Sequence, residues 1–124
     1  MEQVELSFVV PAYNEESFIE DMLGALDAVI ADKNLPYEIV VVDDGSRDGT
    51  LAKARRYAGK NGHARVVSYS KNVGKGCAVK TGFTKANGSI VVFADEGIAG
   101  HALPYILQRG RDDRPPRREI PEDV

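Results

Sequence analysis

Apolar positions along the chain follow two alternating rhythms. Four short runs are almost continuously apolar and rich in β-branched residues: Val4–Val10, Glu38–Asp43, Arg65–Ser70 and Ser89–Ala94. Such runs mark strands buried on both faces, as in a parallel sheet. Between them, apolar residues recur at helical spacing. From Glu15 to about Lys33 the stripe is Phe18, Ile19, Met22, Leu23, Leu26, Val29 and Ile30, with Asn14 as the expected cap and two acids, Glu15 and Glu16, in the first turn. Gly24 lowers helix propensity there without breaking the pattern. A second helix is predicted from about Asp48 to Ala58, carried by Leu51, Ala54 and Tyr57 and stopped by Lys60-Asn61-Gly62. A third opens at the glycine-rich turn Asn72–Gly76 and runs to about Ala86. Pro11 is expected to end the first strand, and a short last helix is predicted near Ala102–Gln108, although Pro104 counts against it.

Strand and helix alternate with short connections, which predicts an α/β fold: an open, mostly parallel sheet with helices on both faces. Ligands of such sheets bind outside the carboxyl ends of the strands, where the strand order reverses. The residues just after each strand are therefore the candidate chemistry.

Composition narrows the reading. The chain has 124 residues, 43% hydrophobic and 28% charged, enough for one domain with a core. We assign that domain to residues 1–107. Residues 108–124 are rich in charge and proline, lack an apolar stripe and are expected to be a flexible tail. The formal charge of −3 lacks the cationic excess that phosphate-backbone binding needs, so no nucleic-acid partner is expected. No run approaches the roughly 18 apolar residues of a membrane span. With Glu2 and Glu5 at the start there is no signal-peptide pattern either, so the expected compartment is the cytoplasm. Cys77 has no second cysteine to pair with and reads as a small core residue. His63, in the loop after Asn61-Gly62, reads as solvated and His101 has no evident partner, so neither receives a role.

Four strand ends carry polar signatures. After the first stands Pro11-Ala12-Tyr13-Asn14-Glu15, with a flat aromatic face and a carboxylate; taken alone it could be a capping turn. After the second stands Asp43-Asp44-Gly45-Ser46, followed by Asp48-Gly49-Thr50. Ser46 and Asp48 are ordinary capping types. Two adjacent aspartates repel unless a cation or hydrogen-bond donor satisfies them, as a ribose diol or a base N–H would. After the third stands Lys71-Asn72-Val73-Gly74-Lys75-Gly76, whose glycines, amides and lysine suit an anion at a helix start, though neither as a Walker loop nor as a dinucleotide fingerprint. After the fourth stands Asp95-Glu96-Gly97, an oxygen-ligand set of the kind that holds Mg²⁺ with substrate phosphates, or simply a solvated turn. Together these describe a pocket for a nucleoside, a pyrophosphate and a metal.

The segments V-V-P-A-Y-N-E-E (9–16), E-I-V-V-V-D-D-G-S-R-D-G-T (38–50), N-V-G-K-G-C-A-V-K-T-G-F (72–83) and A-N-G-S-I-V-V-F-A-D (86–95) resemble the inverting family-two glycosyltransferases with the GT-A fold. The nearest branch is that of the dolichyl-phosphate glucosyl- and mannosyltransferases. The resemblance spans about residues 4–96 and implies the nucleotide-binding half of a GT-A, Rossmann-like fold. It implies that Pro11, Ala12, Tyr13 and Glu15 line a nucleoside pocket and that Asp43 and Asp44 contact base or ribose. It further implies that Asn72, Gly74, Lys75 and Gly76 shape the floor near the nucleotide sugar, and that Asp95 begins an Asp-x-Asp motif carrying Mg²⁺ or Mn²⁺ on the diphosphate. The implied reaction is transfer of a hexose from a UDP- or GDP-sugar to an acceptor, with a polyprenyl or dolichyl phosphate among the acceptors the branch implies.

Two features depart from that pattern. The second acid of the motif is replaced by Gly97; either a metal ligand is lost or Glu96 takes its place. Family members also continue well past this motif, so the acceptor half and its catalytic base are expected to be missing, and no catalytic base is named. The expected chain is thus truncated after the Asp-x-Asp region, incomplete or weakly active alone. The alternative reading is a degenerate, non-catalytic GT-A-like module that serves as an interaction or regulatory partner. A nucleotidyltransferase fits less well, because its glycine-rich basic loop follows the first strand. A lipid-phosphate acceptor would place the protein at the cytoplasmic face of a membrane, and a homodimer is an expectation wherever a missing half leaves an apolar face bare.

Overall fold

The fold is that of a computed structural model, which describes residues 3–31 and 34–94 and the backbone of 105–108. Five strands form one sheet in the order β3-β2-β1-β4-β5: β1 (Leu6–Ala12), β2 (Tyr37–Asp44), β3 (Ala64–Tyr69), β4 (Ile90–Phe93) and β5 (Tyr105–Gln108). The first four run parallel, and β5 joins β4 antiparallel at the edge. Three helices connect them: α1 (Ile19–Ala31), α2 (Thr50–Lys60) and α3 (Lys75–Lys85).

Alternation along the central strands explains why both faces are covered. Val10, Ile39 and Val41 pack with Ile19, Leu23, Leu26 and Ile30 of α1 and Ala54 of α2 on one side. Val9, Val40, Val42 and Val91 pack with Ala78 of α3 on the other. The α3 contact is close: a Cβ on Gly82 would collide with the Val9 side chain and come within 3.2 Å of Val42 Cγ2. Strand order reverses at β1, because β2 lies on one side of it and β4 on the other.

Several boundaries differ from the sequence expectations. Pro11 does not end β1, which continues in register with β2 as Pro11↔Val42 and Ala12↔Asp43. Val9 turns its carbonyl toward β4, accepting from Ala94 N at 2.9 Å. Two residues on, the proline nitrogen faces the same side, past the end of the β1–β4 ladder at Val9↔Phe93. No donor is needed there, so the strand tolerates proline. Helix α1 begins at Ile19 rather than Glu15, and Asn14 does not cap it. Asn14 has φ 51° and uses its side-chain oxygen to accept from Arg47 N at 2.9 Å. Phe18 and Val29, counted in the apolar stripe, are 62% and 61% exposed. The helix predicted near Ala102–Gln108 is corrected for residues 105–108, which form β5. Tyr-Ile-Leu after a proline suits an edge strand better than a helix start, since aromatic and β-branched residues favour the pleated surface. Residues 95–104 and the tail beyond Gln108 lie outside the described residues.

At the amino ends of the strands, α1, α2, β2 and the turn before β3 meet around Asp27. Its carboxylate accepts from the hydroxyls of Tyr37 and Tyr57, the latter at 2.9 Å, and meets His63 Nε2 at 2.8 Å. Burial pushes the Asp27 carboxyl up, but the hydrogen bonds from Tyr37, His63 and Tyr57 outweigh it and hold the group below its usual range. Burial, then the Asp27 carboxylate, pushes the Tyr37 phenol up to about 12. A carboxyl group whose folded pKa is depressed contributes stability that is fully present above its unfolded value of about 3.9 and is lost as pH falls through the folded value. Urea unfolding followed from pH 6 to pH 2.5 is therefore expected to lose stability below about pH 4. Asp27→Asn should be less stable at pH 6 and show a flatter acid limb; parallel limbs for the two proteins would contradict this.

Candidate functional site

The carboxyl ends of β1, β2 and β3 open onto a cavity of about 220 Å³. It is lined by Pro11, Ala12, Tyr13 and Glu15 from the end of β1 and the loop after it, Asp44 from the end of β2, and Asn72, Gly74, Lys75 and Ala78 from the start of α3 and the loop before it. The end of β4 lies next to this edge through the Ala94–Val9 hydrogen bond. Asp95 and Glu96, the expected metal ligands, follow directly and lie outside the described residues.

Eight of the eleven residues singled out in the sequence as nucleotide-sugar contacts thus line one cavity. Asp43 and Gly76 do not line it, and Asp95 is not described. Alternation decides the fate of the aspartate pair. Asp44 shares the face of Val40 and Val42, where α3 packs, whereas Asp43 shares that of Val41. Asp43 is 1% exposed; its Oδ2 accepts from Ser46 N at 3.2 Å, and its Oδ1 has no hydrogen-bond partner among the described residues. Ala78 was missed by the strand-end search because it sits one turn inside α3, on the face that the Gly82 contact presses against the sheet.

Asp44 is also buried and is held by the loop that opens α3. Its Oδ1 accepts from Val73 N at 2.9 Å, and its Oδ2 accepts from Gly74 N at 2.9 Å and Asn72 Nδ2 at 2.8 Å. The Asn72 amide donates as well to the Asp44 carbonyl at 3.1 Å. Gly74 takes φ 121°, a conformation that L side chains rarely adopt. Near Asp44, the Tyr69 hydroxyl is buried and makes no hydrogen bond of ordinary geometry among the described residues. Burial first, then the Asp44 carboxylate, pushes that phenol well above its ordinary value. It stays a neutral O–H near a carboxylate.

The front of the cavity is braced by an interlock of the loops that follow β1 and β2. Asn14 N donates to Ser46 Oγ at 2.9 Å, and Arg47 N returns a bond to Asn14 Oδ1 at 2.9 Å. Glu15 N donates to Thr50 Oγ1 at 2.7 Å, and Gly49 N to Glu16 Oε1 at 2.9 Å. Lys53 Nζ reaches the Glu16 carbonyl at 3.0 Å. Asp48 Oδ1 accepts from Thr50 N at 2.9 Å, which turns the chain into α2, but the cap position itself is Gly49 rather than Ser46 or Asp48. The motif residues Asn14, Glu16, Ser46, Asp48 and Thr50 therefore act on each other, while Tyr13 and Glu15 between them are presented to the cavity. Tyr13 remains 40% exposed at its mouth.

Among the described residues, no three His, Cys, Asp or Glu side chains converge on a point that could hold a metal ion.

A parallel sheet whose order reverses at its first strand offers its ligand cavity at that reversal, and known proteins share the arrangement. Residues 7–96 match Glycosyl transferase family 2. The chain belongs to that family. It is 42% identical over 99 residues to the dolichyl-phosphate beta-glucosyltransferase of Drosophila melanogaster, covering 74% of this chain and 30% of that protein. In structure it is similar to a mannosyltransferase of Pyrobaculum calidifontis solved with GDP-Man and Mn²⁺, with a TM-score of 0.64 at 33% identity, covering 77% of this chain and 28% of that one. It is likewise similar to TarS of S. aureus in complex with UDP, with a TM-score of 0.63 at 33% identity, covering 74% of this chain and 27% of that one. These are GT-A glycosyltransferases, and the family-two chain shares their α/β, Rossmann-like architecture. It spans less than a third of the length of each of the three.

Proposed function

We propose that this family-two chain forms one wall of the donor site of a hexosyltransferase, taking a UDP- or GDP-linked sugar for transfer to a polyprenyl or dolichyl phosphate. The observation that carries the reading is the cavity itself, in which an aromatic face (Tyr13), a carboxylate (Glu15), a side-chain amide (Asn72) and an ammonium group (Lys75) share one lining at the carboxyl edge of the sheet. Tyr13 offers a stacking face for a base, Glu15 and Asn72 offer hydrogen bonds to base or ribose, and Lys75 offers a charge to the diphosphate. At about 220 Å³ the cavity is smaller than the roughly 300–1,000 Å³ of complete small-molecule sites, which suits a wall rather than a whole site.

Asp95, with Glu96, is our assignment for a Mg²⁺ or Mn²⁺ ion on the diphosphate. The metal-bound relative and the dolichyl-phosphate relative support the cation and the lipid acceptor respectively. No helix among the described residues is long and apolar enough to cross a membrane. A lipid-phosphate acceptor would bring the site to a membrane surface.

Calorimetry with UDP, GDP and their sugars, with and without Mn²⁺, tests the reading. Binding of at least one nucleotide is expected, and Lys75→Ala should weaken it about tenfold, the loss of about one charge-assisted contact. A folded chain that binds none of them would overturn the donor site and favour the non-catalytic module, the reading that Gly97 in the Asp-x-Asp position supports.

A further inference from the structure

The loop after β1 passes the mouth of the cavity on a left-handed residue, Asn14. Among the described residues only two other than glycine have a positive φ, Asn14 at 51° and Asn34 at 57°. Asparagine bears that conformation better than most side chains, because its short amide finds hydrogen bonds close by in the chain. At Asn14 the amide serves a distant loop instead. Its Oδ1 accepts from Arg47 N at 2.9 Å, and the Asn14 N–H donates to Ser46 Oγ at 2.9 Å. Two reciprocal bonds thus join the loop after β1 to the loop after β2 through one residue. Glu15 N, next along, donates at 2.7 Å to Oγ1 of the fully buried Thr50. Asn14 is not among the lining residues of the cavity, but its two chain neighbours, Tyr13 and Glu15, both are.

We infer that Asn14 is a positioning residue of the donor cavity, which pins the β1 loop to the β2 loop and so sets Tyr13 and Glu15 in one wall. It acts on the ligand through those two neighbours. The consequence for binding rests on the donor-site reading above, whereas the interlock itself belongs to the ligand-free protein. Two requirements meet at this position: a backbone that accepts φ 51°, and a side-chain acceptor for Arg47 N. Glycine meets only the first, and alanine meets neither. Aspartate, as short as asparagine and also an acceptor, meets both. The order of these substitutions therefore separates positioning from a general loss of stability. Asn34 is the control for backbone strain. It has nearly the same φ but lies exposed in the loop before β2, at the end of the sheet opposite the cavity.

Amide exchange at Arg47 in the ligand-free full chain, with calorimetric titration of UDP and GDP, is the test. In the wild type the Arg47 amide should be protected. Asn14→Gly should speed its exchange by at least about tenfold while the core amides of β1 and β2 keep their protection. Nucleotide affinity should fall about tenfold in Asn14→Ala and by a smaller factor in Asn14→Gly. Asn14→Asp should stay within about threefold of the wild type at about 0.15 M salt, which screens the added charge. Asn34→Ala should lose stability toward urea, as Asn14→Ala does, yet bind nucleotide as the wild type does. Wild-type affinity in Asn14→Ala would overturn the inference. So would an Asn14→Asp as weak as Asn14→Ala, or an equal loss of affinity in Asn34→Ala. Should Asn14→Ala fail to fold, Asn14→Gly, which carries no backbone strain, decides by the same comparison with Asn14→Asp. A wild type that binds neither nucleotide would sink the donor site, and with it the positioning role. Arg47 exchange that is fast in Asn14→Gly and slow in Asn14→Asp would then leave the interlock alone standing.

Discussion

Replacing Gly45 with alanine is expected to destabilise the protein by about 2–5 kcal/mol. Two costs add at this position. The residue has φ 69°, a left-handed conformation that costs a side-chain-bearing residue about 1–2 kcal/mol. The new Cβ would also meet the backbone of the neighbouring loop, with Asn72 N at 2.5 Å and the Lys71 carbonyl oxygen at 2.8 Å. Backbone cannot rotate aside as a side chain can, so relief must come from parting the two loops, an overpacking cost of about 1–3 kcal/mol. Parting them pulls Asp44 away from Val73 N and Gly74 N, so the loss of stability should come with loss of nucleotide binding. Gly24 is the internal control. It is exposed in the middle of α1, with nothing within 4 Å of an added Cβ, and Gly24→Ala should be stabilising by up to about 1 kcal/mol. Urea unfolding of both variants checks the pair, and a Gly45→Ala midpoint equal to the wild type would show that the loops are not in contact there.

Which parts of this molecule were legible in its sequence follows from which interactions are local. The strands and helices were readable because Ile39-Val-Val-Val42 and the Ile19–Ile30 stripe carry their burial in their own spacing. The edge of the sheet that holds the cavity was readable for the same reason, since a parallel α/β order fixes where the loops gather. Partnership was not readable. Asn14 looks like a helix cap on propensity, yet its side chain serves Arg47 N, which lies 33 residues away. Asp43 and Asp44 are indistinguishable as a pair in the sequence, and only the pleat separates the one under α3 from the one on the opposite face. The glycine turn suggested amides turned toward a ligand's phosphate, and nothing local showed that two of them would bond to Asp44. Residues 105–108 misled in another way, because the apolar spacing of four residues suits helix and strand alike and long-range pairing with β4 decides.

The second large effect is expected at the opposite end of the sheet, at Glu38. This carboxylate is 5% exposed and collects three donors from distant parts of the chain: Ser7 Oγ at 2.7 Å, Asn87 N at 2.7 Å and Arg65 Nε at 3.0 Å. Ser7, itself fully buried, passes the network on by accepting from Gly88 N at 2.8 Å, and Arg65 reaches the Lys85 carbonyl at 2.6 Å. The cluster therefore ties the amino ends of β1, β2 and β3 to the end of α3 and the turn into β4. Glu38→Ala would leave a backbone N–H and a hydroxyl buried without an acceptor, together with half a salt bridge, and should cost about 3–5 kcal/mol. Glu38→Gln keeps the volume but turns one acceptor into a donor that faces donors, so an intermediate loss of about 1–3 kcal/mol is expected. Arg65→Ala should cost least, about 1 kcal/mol, because the Glu38 carboxylate keeps its Ser7 and Asn87 donors when this partly exposed partner is removed. Urea unfolding of the three variants should reproduce that order; an Arg65→Ala loss equal to that of Glu38→Ala would mean that the ion pair, rather than the buried donors, dominates. The network stands at the amino ends of strands whose carboxyl ends frame the cavity, so Glu38→Gln, studied at a temperature where it is fully folded, should keep the wild-type nucleotide affinity. A protein that lost both together would couple its two ends through α3, which the network holds at one end and Asp44 holds at the other.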